Sequence, residues 1–74
     1  MKTVVDCEKN VKYIVKKVHT DGALRQRLLS FGLIRGAQIS LLATSSNSST
    51  VEIKVGKMNI ALRHEEALKI EVMS

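Results

Sequence analysis

What the sequence has little of sets the first limits. Among 74 residues there is one cysteine, no proline and no tryptophan, and Tyr13 and Phe31 are the two aromatic side chains. A lone Cys7 cannot close an intrachain disulfide, which excludes a disulfide-stapled secreted scaffold. No uninterrupted apolar run is longer than three residues, so neither a signal-peptide core nor a membrane-spanning helix is expected. With the free thiol, this points to a cytoplasmic protein. The length allows one domain, residues 1–74. A chain of this mass buries roughly 60% of the surface it exposes when unfolded. That supports one small core and leaves little room for a deep, water-excluding catalytic pocket. Grooves for proline-rich peptides and platforms for single-stranded nucleic acid are built from aromatic rings. Two rings, one of them on an apolar helix stripe, assemble neither.

The apolar fraction, 45%, is too high for a disordered chain. The formal net charge is +5 and is unevenly placed: residues 1–36 carry eight basic and three acidic side chains, residues 37–74 four of each. A basic half suits nucleic acid, an anionic membrane surface or an acidic protein partner. It also suits a solvated face that keeps a small protein in solution.

Along the chain, Thr3–Val5 reads as a short strand and Asp6–Asn10 as a polar turn. Val11–Val18 alternates, with Val11, Tyr13 and Val15 on one side and Lys12, Ile14 and Lys16 on the other, which predicts a strand. Asp21 is placed to open a helix over about 21–31, its carboxylate accepting from a free backbone N–H. Leu24, Leu28 and Phe31 recur at helical spacing and form one narrow stripe, with Leu29 off it. Gly32 follows where the chain needs positive φ to leave a helix, and Gly36 marks a second turn. From Gln38 the pattern is β: Ile39, Leu41 and Ala43 alternate with Ser40 and Leu42, Thr44–Thr50 is a polar and mobile hairpin tip, and Val51, Ile53 and Val55 alternate with Glu52 and Lys54. Gly56-Lys57 reads as a two-residue turn, after which Ile60 and Leu62 face in. Residues 63–68 suit one helical turn, and Ile70 and Val72 a last strand. Five or six short strands in so short a chain predict a mainly β fold, a partly closed small barrel that leaves no long edge exposed.

Two stretches carry a resemblance. Residues 27–36 read Arg27-Leu28-Leu29-Ser30-Phe31-Gly32-Leu33-Ile34-Arg35-Gly36, and residues 60–72 read Ile60-Ala61-Leu62-Arg63-His64-Glu65-Glu66-Ala67-Leu68-Lys69-Ile70-Glu71-Val72. Together, in this order and at this spacing, they resemble the ferrous iron transport protein A (FeoA) family over about residues 11–73. The resemblance implies an SH3-like small β-barrel with one inserted helix. It also implies a non-enzymatic, cytosolic accessory protein of bacterial or archaeal ferrous iron uptake. The implied partner is the large GTP-binding permease FeoB, which would recruit the chain to the inner membrane. Phe31 stands where that family has Leu or Met, enlarging a core residue. Lys9-Asn10 replaces a glycine-containing turn, and Asn tolerates positive φ.

Several constellations remain to be weighed. Arg27 lies beside the apolar stripe, where its stem can rest on the barrel while its head reaches backbone carbonyls. Contact with a partner is the alternative. Lys16, Lys17, Arg25 and Arg35 add charge around the first strand, the helix and the turn after it. Leu29 and Leu33 either add apolar surface to a docking patch or cover the open end of the barrel. A nucleic-acid-binding barrel would use Lys12, Lys16, Lys17 and Arg25. For a transition-metal sensor binding iron(II) or another divalent ion, the side chains able to ligate are Cys7, His19, Asp21, His64, Glu65 and Glu66, with His64, Glu65 and Cys7 the weak candidates. No CxxC, HxxxH or HxH spacing supports them. Glu65 and Glu66 equally suit the dipole at a helix start. Neither a resident cofactor nor a nucleophile–base pair is expected.

Overall fold

A computed structural model describes residues 1–74. Five strands form one antiparallel sheet: β1 (Lys12–Val18), β2 (Gln38–Thr44), β3 (Thr50–Val55), β4 (Met58–Arg63) and β5 (Ile70–Met73), in the order β4-β3-β2-β1-β5. Helix α1 (Gly22–Ser30) joins β1 to β2, and the four-residue α2 (His64–Ala67) joins β4 to β5. The expected barrel-like β fold with one inserted helix is present, and each short connection is where a turn signal stood. Asn10 takes φ 62° at the turn before β1. The Gly56-Lys57 turn closes a β3–β4 hairpin in strict register, Val55 opposite Met58 through Thr50 opposite Arg63.

The core fills the inside of the curled sheet. Val15, Ile39, Ile53, Leu62 and Ile70 come from the five strands in turn, Leu28 from α1, and all are at most 1% exposed. Of α1, Leu28 alone is fully buried, while Leu24 and Phe31 pack against the core only in part. Tyr13 is a core residue whose hydroxyl accepts the Glu8 N–H at 3.1 Å. That leaves it no free ring face for a groove, and Lys2 sits over the ring, 4.7 Å from its centre.

Four expectations are corrected. Thr3–Val5 is no strand: Val4–Asp6 make one 3-10 turn, fastened by Asp6 Oδ2, which accepts from the Thr3 N–H at 2.9 Å. The pattern Thr-x-x-Asp is itself a capping signature, and here it outweighs the β-branched residues between. Asp21 occupies the cap position of α1, but its side chain makes no capping hydrogen bond. Val11 lies before β1 and is 39% exposed. Ala43 is turned to the outer face, opposite Glu52, because a bulge between Leu41 and Ala43 shifts the register. The Ser-rich tip is organised by Asn47, whose Oδ1 accepts from the Ser45 and Ser49 hydroxyls and the Ser49 N–H.

A second bulge has more bearing on function. Val15 faces Val72 and Lys17 faces Glu71, so Lys16 is the extra residue in β1. An extra residue re-aims everything after it. Lys16 and Lys17 are therefore both exposed, where plain alternation would turn one inward, and Val18 returns to the core.

Candidate functional site: a basic cleft beside the helix

The segment after α1 builds one wall of the site. Gly32, at φ 87°, donates its N–H to the Leu29 carbonyl, and the Leu33 N–H reaches the Leu28 carbonyl at 3.2 Å. This is the paired C-terminal cap in which a glycine turns left-handed and an apolar residue follows it back toward the helix. The cap sends Leu33 into the core, where it is 0% exposed. Beyond it, the Ala37 N–H donates to the Ile34 carbonyl with Gly36 at φ 92°, a turn that positions Arg35. The Gly36 N–H and Ala37 carbonyl bond to Val15 at 2.8 and 2.9 Å, fixing this turn against β1.

Between β1, α1, this turn and β5 lies an open cleft of about 390 Å³, lined by Lys16, Lys17, Val18, Arg25, Leu29, Leu33, Arg35 and Glu71. The Arg25 guanidinium donates to the Val18 carbonyl at 3.3 Å, which holds it at the rim. Glu71 is the one carboxylate in the cleft. One of its oxygens meets His19 Nε2 at 2.6 Å and the other Lys16 Nζ at 3.5 Å. The hydrogen bond with His19 holds the Glu71 carboxyl below its ordinary value of 4.5; burial opposes it, and the positive charge of Lys16 adds a smaller lowering. Lys17, Arg25 and Arg35 have no acidic partner within ion-pair distance.

Of the seven residues read as a docking patch, six line this cleft: Lys16, Lys17, Arg25, Leu29, Leu33 and Arg35. Leu33 forms its floor rather than exposed surface, because the helix cap demands a buried residue there. Leu29 is half-buried at the side. Arg27 is elsewhere. Its guanidinium pairs at 2.5 Å with Glu66, a carboxylate 5% exposed whose other oxygen accepts the Arg63 N–H at 2.8 Å. Arg27 thus reaches a carboxylate rather than backbone carbonyls, and its stem leaves the guanidinium 5.6 Å from the centre of the Phe31 ring. Sequence reasoning missed Glu71 as a member of the cleft and His19 as its partner. The signal was a carboxylate on the last strand, and only the β1–β5 pairing brings it there.

The metal candidates do not converge. No three His, Cys, Asp or Glu side chains stand close enough to hold an ion. Cys7 is buried, its thiol directed at the Thr3 carbonyl at 3.7 Å. Burial pushes that thiol up from 9.0 to about 11, so it is protonated at neutral pH. His64 and Glu65 are exposed on α2, and neither makes a side-chain hydrogen bond or ion pair. Lys12 belongs to a separate polar cleft on the outer sheet face with Gln38, Ser40, Lys54 and Gly56. The four lysine and arginine residues proposed for nucleic acid therefore do not line one cleft. No helix is long and apolar enough to cross a membrane.

A five-stranded curled sheet, one inserted helix and an open charged cleft define a small SH3-like domain. Residues 2–74 match the FeoA domain family, and the chain belongs to it. A putative Fe(2+) transport protein A of Helicobacter pylori is 43% identical over 54 residues, covering 73% of this chain and 69% of that protein. An Fe(2+) transport protein A/Fe(2+) transporter FeoB fusion protein of Porphyromonas gingivalis is 30% identical over 59 residues, 80% of this chain and 7% of the fusion. The solution structure of iron(II) transport protein A from Clostridium thermocellum superposes with a TM-score of 0.92 at 26% identity, over 97% of this chain and 44% of that one. A zinc complex of Stenotrophomonas maltophilia FeoA, described as a prokaryotic SH3 domain protein, superposes at 0.84 with 24% identity, over 97% and 89% of the two chains.

Proposed function

We propose that this chain is a small cytosolic accessory protein of ferrous iron uptake that docks, through the basic cleft, on the cytosolic part of a GTP-binding permease of the FeoB class. The observation that carries the reading is the cleft itself. Three cations without acidic partners surround an apolar floor, beside a helix with one fully buried side chain. The fusion protein supports the choice of partner, since a module joined to a transporter in one chain works beside it. Nothing in the cleft supplies a nucleophile with a base, and the one thiol is buried and protonated. In this reading the chain catalyses nothing and holds no resident metal; iron is the permease's cargo and GTP its fuel. Recruitment to the inner membrane follows from docking.

The test is a titration of the isotopically labelled chain with the soluble cytosolic part of the permease. Resonances of Lys16–Val18, Arg25, Leu29 and Leu33–Ala37 shift and saturate. If they stay in place at saturating concentration while any other surface responds, the cleft is not the docking site. If nothing responds, the partner is wrong.

A further inference from the structure

We infer that the segment recognised by the cleft is acidic, and that Glu71 is a built-in stand-in for one of its carboxylates. The inference rests on the docking reading and adds the chemistry of what is docked. The argument begins with charge. Lys16, Lys17, Arg25 and Arg35 converge on one cleft, and the chain supplies a single carboxylate to it. Convergence is built rather than accidental: the β1 bulge exposes two consecutive lysines, the Val18 carbonyl fixes Arg25, and the Gly36 turn presents Arg35. An open site with this imbalance attracts carboxylates and repels basic segments.

Glu71 shows how a carboxylate sits there. It lies between Lys16 and His19 and leaves Lys17, Arg25 and Arg35 without an acidic partner. An arriving carboxylate adjacent to Glu71 is repelled by it and competes for Lys16. Glu71 therefore limits affinity while keeping the empty cleft from holding four unopposed cations. Leu29, half-buried on the wall, offers one apolar contact to an aliphatic side chain between the acidic residues. A phosphate backbone suits the cleft less well. Glu71 repels phosphate and carboxylate alike, but no aromatic ring stands there for a base to stack on.

The experiment uses the full chain and a fluorescein-labelled Asp-Glu-Leu-Glu-Asp peptide, read by anisotropy and by shifts of the cleft resonances. Binding weakens as salt is raised to about 0.5 M. Lys17→Glu and Arg35→Glu each weaken it by about ten-fold or more, and Glu71→Gln tightens it by about three-fold. Both lysine and arginine positions are exposed, and unchanged thermal melts confirm that these variants fold. An unshifted cleft at millimolar peptide overturns the inference, as does weaker or equal binding by Glu71→Gln. Tighter binding of a single-stranded oligonucleotide at the same residues overturns it in favour of nucleic acid. Docking and its chemistry separate cleanly. Saturable binding to the permease that is insensitive to salt and to Glu71→Gln keeps the docking reading and removes this one. Peptide binding without permease binding does the reverse.

Discussion

Helix α1 carries two arginines, two residues apart, that serve different sides of the helix. Arg27 crosses to Glu66 on α2, and Arg25 leans over the basic cleft near Glu71. The two carboxylates differ in what surrounds them. The Glu66 side chain is 6% exposed and both its oxygens are engaged, by Arg27 and by the Arg63 N–H. The Glu71 side chain is 16% exposed, and its partners Lys16 and His19 are 57% and 36% exposed. Water screens the second set and hardly reaches the first carboxylate. Removing one member of a buried pair costs about 3–5 kcal/mol, whereas an exposed pair contributes about 0–1 kcal/mol. So the same helix puts stability on one side and spare charge on the other.

The largest effect expected from breaking this contrast is at Glu66. Glu66→Ala frees the Arg63 N–H in a part-buried place and unties α1 from α2. Arg27 is 48% exposed and rehydrates, so the loss falls at the lower end, about 2–3 kcal/mol. For a chain of this size that lowers the melting temperature by about 10–20 °C. A drop of under about 3 °C in a thermal melt would mean the tie is not structural.

The arginines themselves give the next effect. Arg27→Met leaves the Glu66 carboxylate buried with the Arg63 N–H alone and costs about 1–2 kcal/mol after allowing for solvent at Arg27. Arg25→Met loses one long hydrogen bond at a rim and stays within about 0.5 kcal/mol of the parent. Urea midpoints of the two variants measure the difference, and permease titration reverses the order, with Arg25→Met the weaker binder. Equal stabilities would erase the distinction between the two sides.

The sequence showed the elements better than it showed which way their side chains face. Periodicity found β1, α1, the β3–β4 hairpin and the last strand, because each is a local pattern bounded by Asn, Gly or a polar tract. The bulges were not legible, since no residue type requires one. Their traces are doublets, Lys16-Lys17 and Leu41-Leu42, that break alternation without announcing where the extra residue goes. Leu33 was ambiguous for a related reason. A wheel ends with the helix, and only the cap geometry after Gly32 turns that side chain inward. The pairing of Arg27 with Glu66 and the meeting of Lys16, His19 and Glu71 depend on strand order, which no spacing along the chain encodes.

The smallest effect sharpens the comparison from the exposed side. Glu71 has its carboxyl lowered in the folded chain, first by the hydrogen bond with His19 and then by Lys16. A group lowered on folding binds its proton more readily when unfolded. Its contribution to stability is therefore complete above the unfolded value of 4.5 and is lost as pH falls through the lower folded value. The urea midpoint of the parent should decline below about pH 4.5 more steeply than that of Glu71→Gln, which has no proton to take up there. Moderate salt should shrink the difference, because the partners are exposed to it. Parallel decline of the two proteins between about pH 5 and 3 would show that the pair adds nothing to folding. Glu71 would then serve the cleft alone, and the division between the two sides of α1 would be sharper than drawn.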